Sequence, residues 1–294
     1  MNKNSEPWRT WPLSQLEREY SPSSCVESIQ PYLAAYRERS NETVAKFACR
    51  RDLHWGRRDR EVFDLFPAAS PQSPLLIFIH GGYWQELSKN DSLFIAPGCL
   101  ANGISFAAIE YSLAPQATVA EIVDECRRAV ASIIEQAPAL GFDPKRVFVA
   151  GSSAGAHLAA MLFTGAEMPS QKSRAAAIAG AILLGGIYDL TPLVRTYVNG
   201  PLKLTEIEAA TLSPLTQPLG VPLPVIVAWG ANETSEFKRQ SQEFASKLQN
   251  ARFPVKSLEL AGANHFDILF EVANRNNALG RDTLSLIAAG KLSP

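Results

Sequence analysis

Val147-Phe148-Val149-Ala150-Gly151-Ser152-Ser153-Ala154-Gly155-Ala156-His157 begins as an apolar strand, breaks at a glycine, and passes through Gly155 into an Ala- and Leu-rich stretch of helical character. Its pattern is G-x-S-x-G with Ser153 at the centre. A sharp turn from strand to helix leaves no room for side chains beside it. Glycines therefore flank the serine, and its hydroxyl projects above the sheet edge at a helix N-terminus. Small-residue turns also join strands to helices with no chemistry attached. The reading thus depends on the flanking elements and on the partners Ser153 would need.

Working outward, a β/α alternation sets in upstream of this stretch. Residues 60–66 alternate like a strand, 75–79 form a continuous apolar run suited to a strand buried on both faces, and 104–111 form a third strand. Val119, Ile122, Val123, Cys126, Val130, Ile133 and Ile134 recur at helical spacing until Pro138 and Gly141 end the pattern. Downstream come a strand at 181–185, a proline-bracketed irregular segment at 189–222 that reads as a small lid, and a strand at 225–229. A helix over 235–250, with Phe237, Phe244 and Leu248 on one face, leads to a strand at 255–260 and a final helix from about Phe266. This order predicts an α/β fold: a mostly parallel sheet with helices on both faces. Residues 1–60 differ in character, being charged and rich in Tyr and Trp, with a helix-like stretch over 28–47. They read as an N-terminal covering segment of the same domain, with 61–294 as its main body. A mobile arm is the alternative.

Composition narrows the partners. The 294 residues are enough to bury a large core as one domain, and 46% hydrophobic with 19% charged residues fits a globular chain. A net charge of -1 with four His offers no basic face for nucleic acid, so a small neutral or mildly charged ligand is expected. Cys25, Cys49, Cys99 and Cys126 form no C-x-x-C pair, which suggests neither a zinc site nor a disulfide framework, and points to a reducing compartment. Residues 1–15 lack the continuous apolar core of a secretory signal, and the longest weakly polar run, 175–188, is shorter than the ~20 residues a membrane helix needs. The expectation is a cytoplasmic protein without a membrane span.

An alcohol is a weak nucleophile at neutral pH, so Ser153 needs a base within hydrogen-bond reach and a third group to orient that base. In the α/β-hydrolase arrangement, which this turn resembles, the acid and then the histidine follow the serine in chain order on loops at the same sheet edge. Of four histidines only His265 lies after Ser153 on a loop, just past the last strand. His157, one helical turn beyond Ser153, reads as packing or bonding within its helix, and His54 as a surface residue. The acid has three candidates. Glu233 lies in the turn after the strand ending at Trp229 and is preferred. Glu236 falls in the first turn of the next helix, where an acidic residue commonly favours the dipole, and Asp189 opens a loop before Pro192, as turn residues do. A tetrahedral intermediate needs backbone N–H donors. His80-Gly81-Gly82-Tyr83-Trp84 directly follows the 75–79 strand and is placed to supply them, with the N–H of Ala154 completing the hole.

Together these residues resemble the α/β-hydrolase superfamily, and more narrowly the kynurenine formamidase (arylformamidase) group beside the hormone-sensitive-lipase-like esterases. The narrower likeness rests on His80-Gly81-Gly82-Tyr83-Trp84, where those esterases carry a third glycine. It also rests on Gly186-Ile187-Tyr188-Asp189-Leu190, on Ser235-Glu236-Phe237-Lys238-Arg239-Gln240-Ser241 and on Glu17-Arg18-Glu19-Tyr20-Ser21-Pro22-Ser23. The resemblance implies an α/β-hydrolase fold with Ser153 as nucleophile, His265 as base, the acid at Glu233, and an oxyanion hole on Gly82, Tyr83 and Ala154. It further implies a homodimer. Two departures stand out: the acid is Glu where Asp is common, and Glu110-Tyr111-Ser112-Leu113-Ala114-Pro115 replaces a more usual D-Y-R-L-A-P.

The activity this implies is hydrolysis of a short-acyl aryl amide such as N-formylkynurenine through an acyl-enzyme, with no metal or organic cofactor. Tyr83 would narrow the acyl side toward formyl or acetyl, and Trp84 would offer an aromatic wall to the leaving group. The plainer alternative is that both rings pack under the N-terminal segment. A carboxylesterase using the same residues on small esters is the second reading, because function lives in the pocket rather than in the fold. A hydrolase-shaped binding protein without turnover is the third.

Overall fold

The computed structural model describes residues 7–165 and 178–292. Its strands, in chain order, are β1 (Arg50–His54), β2 (Val62–Phe66), β3 (Ser73–Ile79), β4 (Ser105–Ile109), β5 (Phe142–Ser152), β6 (Ile178–Leu184), β7 (Val225–Gly230) and β8 (Val255–Leu260). They form one sheet in the order β1-β2-β4-β3-β5-β6-β7-β8. From β4 to β8 every pairing is parallel, and the β1–β2 and β2–β4 pairings are antiparallel.

The apolar runs explain the centre. All seven residues of β3 are buried. Successive side chains of a strand point to opposite faces, so Leu75, Ile77 and Ile79 join one core cluster and Leu76 and Phe78 the other. β5 follows suit, with Val147 and Val149 on the first face and Phe148 and Ala150 on the second. Each such large side chain, fully buried, contributes about 1.5–3 kcal/mol, and two cores of this kind hold the central strands rigid beneath the site.

The helices follow their caps and apolar stripes. Val119–Glu135 starts at a capping box between Thr118 and Glu121, and a short helical turn after it stops at Gly141, whose φ is 83°. Ser235–Asn250 buries Phe237, Phe244 and Leu248, and Phe244 stacks on Tyr188 at 4.3 Å. In the N-terminal region a helix spans Gln30–Lys46. Its Tyr36 stacks on Phe94 at 5.4 Å, so this helix lies against the main body.

Three elements differ from the sequence reading. β1 is an additional strand in a region read as helical cover. Most of its residues are exposed and charged, so no apolar alternation marks it. The last helix is Ala278–Ala289 rather than a continuous helix from Phe266. Asn277 caps it by accepting from the Gly280 N–H, and the chain before it holds a 3-10 turn at Asp267–Glu271. The 189–222 segment carries short helices at Asn199–Leu202 and Glu206–Thr211. Of the weakly polar run 175–188, residues 175–177 lie outside the described residues, as do 1–6 of the N-terminal stretch, and much of the remaining run is β6. Among the described residues no helix is long and apolar enough to cross a membrane.

Candidate active site

Reversal of strand order creates a crevice at the carboxyl ends of the strands where connections leave in opposite directions. β3 leads to β4 on one side, while its other neighbour is β5. The loops after β3 and β5 carry the HGGYW motif and the G-x-S-x-G turn, so topology alone brings the two together.

Ser153 sits between β5 and the helix Ala154–Ala160 with a φ of 55°, in the left-handed region that non-glycine residues seldom occupy. Its N–H donates to the Leu184 carbonyl at 2.8 Å, which fastens the turn to the end of β6. The flanking glycines are required by contact. A Cβ on Gly151 would lie 2.2 Å from the Gly155 carbonyl oxygen, and one on Gly155 would lie 2.0 Å from that of Ile79. Gly81 is pressed in the same way against the Ser152 carbonyl, at 2.9 Å.

His265 lies in the loop after β8, and its Nδ1 is 2.7 Å from Glu233 Oε2. The other carboxylate oxygen of Glu233 accepts from the Gly230 N–H at 2.7 Å. A carboxylate beside Nδ1 assigns the proton to that nitrogen and leaves Nε2 as the acceptor. The imidazole is walled by Phe237, edge-on at 4.7 Å, and by Phe266 at 5.5 Å. Ser153 and His265 line the same cavity, of about 270 Å³. The other two acid candidates are engaged elsewhere. Asp189 accepts from the Thr191 N–H and hydroxyl in a local turn, and Glu236 is bound by the Tyr20 hydroxyl at 2.6 Å and by Arg239.

Gly82, Tyr83 and Trp84 have φ values of 97°, 51° and 59°, a run of left-handed residues that bends the loop sharply. Among the described residues the N–H groups of Gly82, Tyr83 and Ala154 meet no acceptor. Ala154 opens its helix, where the first N–H groups have no intrahelical partner. The loop is braced from below. His80 is buried, stacks on Tyr111 at 4.1 Å, and its Nε2 lies 3.2 Å from Glu110, which Arg60 also engages at 2.8 Å. Burial pushes the Glu110 carboxyl up, but His80 and Arg60 more than offset that and hold it below the usual range. Tyr111 donates to the His80 carbonyl at 2.9 Å. Glu110 stands where Asp is more usual, and its Oε1 meets both His80 and Arg60.

Tyr83 lines the cavity, and its hydroxyl donates to the Tyr20 carbonyl in the N-terminal segment. Trp84 does not line it. The chain reverses at this residue and sends the indole into the core, fully buried and edge-on to His157 at 5.0 Å. The aromatic wall assigned to Trp84 is therefore supplied by other rings, Phe266 and Tyr197. His157 is buried, and Nε2 donates 2.8 Å to the Leu212 carbonyl in the 189–222 segment rather than within its own helix. His54 is exposed.

Two features of the site carried no recognisable signal in the sequence. Gly185, with φ 48°, passes directly under the Glu233 carboxylate and the His265 ring: a Cβ there would lie 3.0 Å from both Glu233 Oε2 and His265 Nδ1. Cavity walls also come from the N-terminal segment, through Ile29, Leu33 and Tyr36. Apolar residues on a helical stretch do not announce that they face a pocket.

The family model BD-FAE matches residues 64–248. The kynurenine formamidase of Danio rerio is 33% identical over 95% of this chain and 98% of its own length. That of Salmo salar is 32% identical, over 91% and 94%. A solved protein of Silicibacter sp. tm1040, described as a candidate thioesterase, is similar in fold with a TM-score of 0.82 at 24% identity, covering 93% of this chain and 99% of that one. A family model spanning most of the sheet, and kin of one-third identity along nearly the whole length, place the chain in the BD-FAE family and, among the α/β-hydrolases, in the kynurenine formamidase group.

Proposed function

We propose that this protein is a serine hydrolase that cleaves a short-acyl aryl amide, such as N-formylkynurenine, through an acyl-enzyme. The observation that carries the proposal is His265, held by Glu233 at 2.7 Å and lining one cavity with Ser153. Kinship with the two fish kynurenine formamidases supports the choice of substrate class.

In this reading Ser153 Oγ attacks the formyl carbon while His265 Nε2 takes its proton, and Glu233 stabilises the imidazolium through Nδ1. The carbonyl oxygen becomes an oxyanion facing the N–H groups of Gly82, Tyr83 and Ala154, donors already free before substrate arrives. Collapse breaks the C–N bond, and His265 returns the proton to the departing aryl amine. Water, deprotonated by His265, then attacks the formyl-serine, releasing formate and restoring the hydroxyl. Tyr83 narrows the acyl side where a further glycine would leave space.

Esterase activity is the second reading. The solved carboxylesterase EstE1 shares the fold at a TM-score of 0.69, and a formyl ester would meet the same groups. Steady-state kcat/KM for N-formylkynurenine beside p-nitrophenyl acetate and butyrate, with Ser153→Ala as the blank, separates them. The formamidase reading expects a clear preference for the formamide. Good ester turnover with negligible formamide cleavage would replace it with the esterase. Failure of an organophosphonate to label Ser153 in folded protein would instead favour a binding protein without turnover. The cytoplasm is the compartment we propose, since Cys25, Cys49, Cys99 and Cys126 are all free thiols.

A further inference from the structure

Glu86 lines the same cavity as Ser153 and His265 and takes no part in the chemistry derived above. We propose that it is a specificity-determining residue that receives an ammonium group carried by the leaving-amine side of the substrate, and the proposal rests on reading the cavity as the substrate site. Three observations converge on this. The Glu86 N–H donates to the Gly82 carbonyl at 2.9 Å, beside a second bond from the Gln85 N–H, so its place is set relative to the oxyanion loop. Among the described residues no Lys or Arg lines the cavity. Glu86 itself has no ion-pair or hydrogen-bond partner for its side chain among those residues.

With no Lys or Arg beside it in the lining, Glu86 makes its side of the mouth negative. An aryl amine whose side chain ends in an ammonium gains an opposite charge at the rim, and one ending in a carboxylate meets a like charge. A substrate bearing both groups would turn its ammonium to Glu86 and leave its carboxylate in water at the mouth. Because Glu86 is exposed, the gain is that of a rim pair, a factor of about five rather than a thousand.

The test titrates non-reactive product-type amines into the wild-type protein by calorimetry. Three 2-aminophenyl ketones are compared, with side chains ending in an ammonium alone, an ammonium with a carboxylate, and a carboxylate alone. The ammonium-only amine is expected to bind about fivefold tighter than the carboxylate-only one. That gap should close in Glu86→Gln, whose unchanged thermal melt shows it folded, and should shrink as salt rises from about 0.05 to 0.5 M. Equal affinities, or a gap that survives Glu86→Gln, would overturn the assignment. The result separates from the formamidase reading. A gap in a protein that cleaves no formamide leaves Glu86 standing and removes that reading, whereas formamide turnover without a gap removes Glu86 alone.

Discussion

Gly185 is where one missing side chain matters most to the chemistry. Its position beneath the Glu233–His265 pair means that Gly185→Ala drives a methyl group into contact with both partners while also imposing a strained φ. A displacement of this size is expected to lower kcat by about 100-fold with a smaller change in KM, read by steady-state kinetics. Glu233→Ala, which removes the proposed acid, should cost about 10³–10⁴ in kcat/KM, whereas Asp189→Ala should keep near-normal turnover because Asp189 serves its own turn. Equal losses in the two variants would undo the assignment. That Ser153 and His265 meet in one cavity was legible in the sequence, because a motif and a chain order point to single residues. For the acid the sequence prefers Glu233 to Asp189 and Glu236 only by its place in a turn, since spacing does not say which carboxylate points toward the imidazole. Gly185 was out of reach, because its role is a proximity between segments far apart in the chain. Trp84 shows a related limit: its ring lies 6.1 Å from that of Tyr83, yet only Tyr83 reaches the cavity, and adjacency in sequence does not say which of two rings will.

Among the elements, the N-terminal segment reaches the site through two backbone carbonyls. That of Glu19 accepts from the Thr234 hydroxyl at 2.6 Å, next to Glu233, and that of Tyr20 accepts from Tyr83, in the loop after β3. The Tyr20 hydroxyl donates to Glu236 and accepts from the Gln240 amide at 2.8 Å. Two adjacent residues thus fasten both sides of the site. Tyr20→Phe leaves the buried Glu236 and Gln240 each short of a partner and should cost about 1–3 kcal/mol, measured by urea unfolding. In the core, Phe148→Ala should cost about 3–5 kcal/mol by the same measurement, with the cavity it leaves adding to the lost burial. Elements with a clear apolar period, such as Ser235–Asn250 and β3, were legible. β1 was not, because an exposed edge strand of charged residues is held by hydrogen bonds to β2 and leaves no pattern of its own.

For the molecule as a whole, His157 ties stability to pH. Burial pushes its pKa down to about 4, against the Leu212 carbonyl, which raises it, and with Arg127 adding to the depression. An unfolded chain titrates the same ring near 6.5. Between those values the unfolded chain binds more protons, so the contribution is complete above about pH 6.5 and is lost as pH falls toward 4. The full loss amounts to about 3 kcal/mol. Unfolding free energies between pH 7.5 and 4.5 should therefore fall more steeply in the wild type than in His157→Gln, and parallel curves would count against this account. The placing of the cavity has a different sort of consequence. Its floor belongs to backbone turns locked against one another at the sheet edge, whereas its walls are borrowed from the N-terminal helix and from the segment carrying Tyr197 and Val198. Part of the choice of substrate, the part that Tyr83 and Glu86 do not set, is thereby separable from the chemistry. A change at Ile29, Leu33 or Val198 can reshape the mouth while the turns beneath it stay as they are.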